Sequence, residues 1–332
     1  MPTIAAQVAP QRSTQYSALA DALAPHELRL SPLGGAMSPI ETRQLGGQVY
    51  LQFEMPSDLD DQQRRELGML AMTHAFFTVY EQVGDHAGPF LRPLDTRFEP
   101  RLPPDLVTTR RYRGKTNELF THFLCNVARF SSEFAHCPWE QLRVFDPLAG
   151  GGTTLFTALV LGADAAGVEK SAKDAQTTAA YLRRFTRERG IACQVKEERL
   201  KKLGRRWWFR IGKENPQQAV LANGDTAQSA ELTAGLKKPH LIVADLPYGI
   251  QHFGALVDLL AGALPVWTSL LLPGGAMALA WESTRFPRAE MVALVERDGR
   301  LAVFNDAPYT LLAHRVDRVI KQRDVIVARR NS

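Results

Sequence analysis

Residues 145–154 read Phe-Asp-Pro-Leu-Ala-Gly-Gly-Gly-Thr-Thr, at the point where a short apolar run gives way to a helical pattern. Asp146 closes the run. Gly150, Gly151 and Gly152 allow a tight turn and close backbone approach to a ligand, because no Cβ stands in the way. Thr153 and Thr154 open the next helix, whose free first-turn N–H groups favour a carboxylate or a phosphate. Glu169 follows 23 residues after Asp146, at the end of Gly167-Val168-Glu169. An acidic side chain there can accept both hydroxyls of a ribose.

Working outward, apolar runs alternate with helical patterns. The runs are Leu142–Phe145, Ala165–Val168, Ala192–Val195, Ala219–Ala222, Leu241–Ala244, Ala276–Ala280, Leu301–Phe304 and Val325–Ala328, with a helix over Asn117–Phe130 in front of them. Strands interleaved with helices predict an α/β domain built on a doubly wound, mostly parallel sheet. In such sheets ligands bind outside the carboxyl ends of the strands, where strand order reverses. A second motif, Val-Ala-Asp-Leu-Pro-Tyr-Gly at 243–249, also ends a run. One site can therefore include both.

Three ligands compete for the first motif. A dinucleotide turn calls for a third glycine at Leu155, and Asp146 would repel a pyrophosphate. A phosphate loop at Gly114-Lys115-Thr116 has Thr109 where its first glycine belongs. S-adenosylmethionine satisfies every part, with its cationic end near Asp146 and its ribose on Glu169. A purely structural glycine turn is the bland alternative for the motif taken alone.

The second motif suits an exocyclic amine, whose lone pair is delocalised into its ring. Asp245 and the Leu246 carbonyl can accept hydrogen bonds from such an amine, and Pro247 stiffens the loop. Tyr248 offers a face on which an extruded base stacks, and Gly249 permits close approach. No strong general base is required if the proton leaves after attack.

Asp-Pro-Leu-Ala-Gly-Gly-Gly-Thr-Thr resembles the Asp-Pro-Phe-x-Gly-Ser-Gly-Thr-Thr motif of class I methyltransferases that modify exocyclic amino groups of bases, and the similarity extends over about residues 112–330. Gly151 stands in place of the usual serine. The resemblance implies a seven-stranded Rossmann-like methyltransferase sheet and a cofactor site of Asp146, Pro147, Leu148, Gly150, Gly152, Thr153, Glu169 and Lys170. It further implies that Asp225 and Thr226, in Asn223-Gly224-Asp225-Thr226, receive the adenine end, although a ligand-free turn is the alternative there. Arg113-Gly114-Lys115-Thr116-Asn117 resembles the segment that precedes the first motif in that family, with a plain helix cap as the rival reading. The family's usual second motif is Asp/Asn-Pro-Pro-Tyr/Phe, so Leu246 replaces a proline. Asp-Leu-Pro-Phe-Gly variants resemble those of THUMP-containing tRNA guanine-N2 methyltransferases. This favours guanine N2 in tRNA or another structured RNA over adenine N6 or cytosine N4 in DNA. A non-catalytic cofactor- or RNA-binding module, and a methyltransferase for a protein amide or small molecule, are the remaining readings.

Charge supports a polyanionic partner. The chain of 332 residues carries +5, yet Arg183–Lys213 holds twelve Lys/Arg against three Glu, or +9. A local patch of this kind is a polyanion-binding face. Within it, Arg205, Arg206, Trp207 and Trp208 interleave cations with aromatics, and with Lys115 they form the candidate substrate contacts. The competing reading is a β-hairpin whose Trp and Phe pack on the sheet while its charges face water.

Residues 1–105 read as a small α+β module, a candidate for substrate binding, with no THUMP pattern. It has helices over Thr14–Leu23 and from about Leu59 to Met72, the second capped at Ser57 or Asp58. Strands fall at Gln48–Glu54 and Phe76–Tyr80, and a proline-rich linker at Gly88–Pro104 leads to the methyltransferase-like domain of 106–332. Cys125, Cys137 and Cys193 form no CxxC or metal-type spacing, and no metal site is expected. His122, His252 and His314 read as ordinary histidines, His252 being the one near the second motif. Ala255–Trp281, interrupted by Pro265, Pro273 and Gly274-Gly275, reads as buried helix, turn and strand and not as a membrane span. With no signal-type apolar run at the start, a cytoplasmic location is expected.

Overall fold

A computed structural model describes residues 1–10, 19–96, 98–112, 114–247, 253–316 and 321–332. The chain forms two compact units, Met1–Glu99 with Asp306–Arg323, and Pro100–Asn305 with Asp324–Ser332. The sequence reading placed the boundary near 105 and did not anticipate that 306–323 belongs with the N-terminal unit.

The first unit is an antiparallel sheet with two helices. Its strands are β1 (Thr3–Val8), β2 (Glu41–Leu45), β3 (Gln48–Glu54), β4 (Thr73–Val83) and β5 (His86–Leu94), in the order β2-β3-β1-β4-β5. The helices are α1 (Leu19–Leu30) and α2 (Asp61–Gly68). The predicted Thr14–Leu23 helix thus lies partly outside the described residues. Asp60, and neither Ser57 nor Asp58, caps α2, through a reciprocal box in which Asp60 accepts from the Gln63 amide and Gln63 accepts from the Asp60 amide. The expected linker at Gly88–Pro104 is in part strand β5. Pro89 and Pro93 are tolerated because β5 is an edge strand, where a missing N–H costs no ladder bond.

The second unit is α/β. Its strands are β6 (Arg143–Asp146), β7 (Asp164–Glu169), β8 (Cys193–Leu200), β9 (Gly204–Ile211), β10 (Gln217–Asn223), β11 (Leu241–Asp245), β12 (Ala276–Glu282) and β13 (Leu301–Phe304). After β14 (His314–Arg315), which belongs to the first unit, the last strand β15 (Gln322–Arg330) crosses back. The main sheet runs β13-β15-β12-β11-β6-β7-β10-β9-β8. The pairs β6–β7, β7–β10, β6–β11 and β11–β12 are parallel; β13–β15, β10–β9 and β9–β8 are antiparallel.

The helices are α3 (Asp105–Thr108), α4 (Glu118–Ser131), α5 (Thr153–Leu161), α6 (Ala172–Glu188), α7 (Ser229–Leu232), α8 (Phe253–Leu270) and α9 (Arg288–Glu296). The fold is Rossmann-like, and the run at 192–195 opens an antiparallel hairpin, β8–β9, that widens the sheet beyond the parallel strands. Ile242, Ala244, Leu246, Leu260, Trp267, Met277 and Trp281 build much of the core. Among the described residues no helix is long and apolar enough to cross a membrane.

Chain order reverses at β6. From it the chain crosses through α5 to β7 on one side, and its other neighbour is β11. This crevice is where the fold places a ligand.

Candidate functional site

The glycine turn joins β6 to α5. Gly150 and Gly152 adopt φ of 51° and 85°, in the left-handed region that favours glycine. The Gly152 amide donates to Ala149 O (2.7 Å), closing the turn, and α5 begins at Thr153 with no side-chain cap. Its first amides have no partner within the helix.

Asp146 is buried at the end of β6 and accepts the Leu148 amide at Oδ1 (2.9 Å). Burial pushes its carboxyl up to about 7, against hydrogen bonds from Thr154 and the Leu148 amide, with Asp245 and Glu169 raising it further. A buried carboxyl held this high is a site that a cation would ionise. Pro147 is buried, and Leu148 packs against the core.

Glu169 ends β7 and accepts the Gly150 amide at Oε2 (2.8 Å) and the Ser171 amide at Oε1 (2.6 Å). It therefore fastens the glycine turn to the start of α6, with further lone pairs available to hydroxyl donors. Asp225 follows β10, accepts the Ala227 amide (3.0 Å) and lies 3.3 Å from Lys170 Nζ. The Ala227 amide, ahead of the Lys170 ammonium, holds the Asp225 carboxyl below the usual range. Asn223 Nδ2 donates to the carbonyls of Glu169 and Lys170 (3.0 Å each), so the two acidic loops move as one.

Asp245 ends β11. Ile242 pairs with Phe145, so Asp245 reaches two residues, about 7 Å, beyond Asp146 on the neighbouring strand. The alternation of side chains puts both on one face of the sheet. Thr116 donates from Oγ1 to Asp245 Oδ2 (2.7 Å). Leu246 is buried in the core, and its amide donates to Ala280 O (2.8 Å), a bond that a proline could not make. The loop is thus anchored by burial and a hydrogen bond in place of a second ring. Pro247 is exposed. Tyr248, Gly249 and His252 lie outside the described residues, as does Arg113.

Several of the expected contact residues have partners within the protein. Thr226 is buried, and its hydroxyl accepts the Trp267 indole N–H (3.0 Å), which anchors the turn. Lys115 Nζ donates to Val107 O (2.7 Å) and pairs with Glu118, so it holds the chain to itself. Trp207 is only 7% exposed and cannot stack on a base. Trp208, half-buried, donates to Glu198 (2.9 Å) under the Arg206 guanidinium, 4.8 Å from its ring. Arg205 pairs with Glu197 (2.8 Å) and Arg206 with Glu198 (2.8 Å). Lys196, Arg206 and Trp208, in that order, hold the Glu198 carboxyl down at about 2. The hairpin is largely self-neutralising at its centre. Arg199, Lys201, Lys202 and Arg210, nearer its ends, are exposed, as are Lys196 and Arg205. Among the described residues no group of three or more His, Cys, Asp or Glu is placed to hold a metal.

The sequence reading missed Arg110 and Tyr112. Arg110 Nη1 donates to Gly151 O and to Thr178 Oγ1 (2.8 Å), amid the rings of Tyr112, Tyr181 and Phe156 at 5.1, 5.3 and 5.9 Å. The Tyr112 hydroxyl meets Thr153 Oγ1, and its ring lies on Gly151: a Cβ there would fall 2.1 Å from Cζ. The only signal in the sequence was the departure of Gly151 from serine.

No protein-family model and no curated protein matches the sequence. Solved structures similar to the model include TrmN from Thermus thermophilus, at 15% identity and TM-score 0.46, covering 99% of this chain and 100% of that one. The T. thermophilus 16S rRNA N2 G1207 methyltransferase RsmC, in complex with AdoMet and guanosine, is similar at 12% identity and TM-score 0.38, over 96% and 63%. A putative class I S-adenosylmethionine-dependent methyltransferase from Listeria monocytogenes is similar at 12% and 0.36, over 57% and 54%.

Proposed function

We propose that the chain is an S-adenosylmethionine-dependent methyltransferase acting on an exocyclic amino group of a nucleic-acid base, with guanine N2 of tRNA or another structured RNA as the target. One observation carries the reading: a buried carboxyl raised to about 7 ends β6, and a second carboxylate ends the adjoining strand β11 on the same face. The first wants a cation, and the second faces the same crevice with an acceptor for an amine.

The residues present fit the cofactor. Asp146 and the first amides of α5 would hold its charged amino-acid end, Glu169 its ribose, and Asp225 its adenine amine. Bound there, it supplies an electrophilic methyl group. Asp245 and the Leu246 carbonyl then accept the two N–H donors of the target amine, which frees the nitrogen lone pair from the ring as attack proceeds. The hydrogen bond from Thr116 holds Asp245 in place. The proton passes to water after transfer, so Asp245 acts as acceptor and positioner. The +9 segment supports a polyanionic substrate through its exposed end cations.

Mass spectrometry of tRNA nucleosides from a deletion strain tests the target. Loss of N2-methylguanosine from one tRNA position is the expected result. An unchanged nucleoside profile would sink the RNA reading, and loss of a methylated base from DNA would replace it with a DNA amino-methyltransferase.

A further inference from the structure

Residues 110–112 and 114–116 run from the cofactor motif to the catalytic motif within the second unit. At one end Tyr112 and Arg110 clasp the backbone of Gly151. At the other Thr116 donates to Asp245. The segment is fastened from behind as well: Lys115 holds Val107 O, and Tyr181 donates to Leu106 O (2.9 Å). Burial raises the Tyr112 hydroxyl, consistent with its seat beneath the turn.

We propose that this segment is a strap that sets both halves of the site, with Tyr112 positioning the glycine turn for the cofactor and Thr116 positioning the Asp245 carboxylate for the amine. This rests on the methyltransferase reading. The steric argument is specific. A side chain at 151 cannot coexist with the Tyr112 ring, so Gly151 and Tyr112 are complementary choices. The serine of the resembling motif would evict the ring, and with it the contact between the Tyr112 hydroxyl and Thr153 at the start of α5. At the other end, Thr116 fixes Oδ2 of the Asp245 carboxylate, and the loss of that bond touches the amine side of the site and not the glycine turn. The strap thus predicts two separable effects, one on each substrate.

The test is a double-mutant cycle read by calorimetric titration of the full chain with S-adenosylmethionine. Gly151→Ser weakens binding by about tenfold or more, the size of a coupled contact. In a Tyr112→Ala background the same change costs less than about threefold, because the ring it would evict is gone. Thr116→Val, by contrast, leaves binding within about twofold while lowering kcat on the RNA substrate by about tenfold to a hundredfold, the worth of a hydrogen bond to a charged group. Thr116→Ser restores kcat.

Additive costs at 151 and 112, or tighter binding by Tyr112→Ala, would overturn the positioning role of Tyr112. A Thr116→Val variant that loses cofactor binding along with kcat, or loses neither, would overturn that of Thr116. If the wild-type chain binds no S-adenosylmethionine, the functional reading fails and the strap with it. If it binds and the cycle is additive, the strap alone fails.

Discussion

Asp146 sits where two demands conflict. The fold buries it, and burial favours the neutral acid; the proposed ligand is cationic and favours the carboxylate. Its carboxyl is raised to about 7, so S-adenosylmethionine affinity should climb as pH rises through that value and level off above it, with a proton released on binding. Titrations between about pH 6 and 8 check this, and Asp146→Asn should give a flat, weak profile. The ligand-free protein should show the opposite trend. A folded-state pKa above the unfolded one contributes stability that is complete below about 4 and lost as pH rises through 7. Asp146, Glu169 and Asp245 were legible from the sequence because strand ends and glycine turns advertise themselves. Tyr112 was not, since nothing local to it shows that its ring will lie on a glycine 39 residues away. Leu246 shows the same limit from the other side. As a sequence departure it reads as a loosened loop, while its burial and its bond to Ala280 show an anchor. Leu246→Pro should therefore destabilise the protein by about 2 kcal/mol or more in chemical denaturation, through the lost core packing and the orphaned Ala280 carbonyl.

At the scale of elements, the β8–β9 hairpin separates two roles that the composition merges. Strand alternation turns Trp207 and Phe209 into the fold and leaves Trp208 on the opposite face beside Arg206 and Glu198. Trp207→Ala should cost about 3–5 kcal/mol of stability, the range for a large buried aromatic. Reversing Lys201 and Lys202 to Glu should leave stability within about 0.5 kcal/mol, as for exposed sites away from the core. The same double change should weaken RNA binding and flatten its salt dependence, measured by fluorescence anisotropy across salt concentrations. The positions of most parallel strands could be read from their apolar runs. The hairpin is one of two open readings of the basic segment, and the burial of Trp207 and Phe209 on one face decides for it. Caps were elusive: Ser57, Asp58 and Asp60 are equally good letters, and only the reciprocal bond with Gln63 selects Asp60.

The whole molecule is not two beads in series. The chain leaves the second unit after Asn305 and re-enters it at Asp324, and one guanidinium marks both points: Arg288 donates to Asn305 Oδ1 (3.1 Å) and to Asp324 Oδ1 (3.0 Å). The excursion of 306–323 packs its strand β14 against α1 of the first unit. A chain cut at residue 99 would thus carry 306–323 without its partners. Such a fragment should melt lower and aggregate more than one in which a short glycine-serine linker also replaces 306–323, as a thermal scan of the two would show. No sequence pattern announces this return, because the segment's fate depends on a surface nearly three hundred residues earlier.

In the proposed reaction the carboxylate ending β11 presents a base amine to a methyl donor held at the neighbouring glycine turn. Methyl-labelled S-adenosylmethionine, unmodified tRNA and DNA, and the purified chain or its Asp245→Ala variant make the most direct test, with labelled nucleosides resolved by chromatography. The wild-type chain should give labelled N2-methylguanosine from tRNA. The variant should give less of it, by about a hundredfold or more, at unchanged cofactor affinity, as when one group aimed at the reacting centre is removed. Equal labelling by the two proteins, or no labelled nucleoside from the wild type, would contradict the proposed reaction.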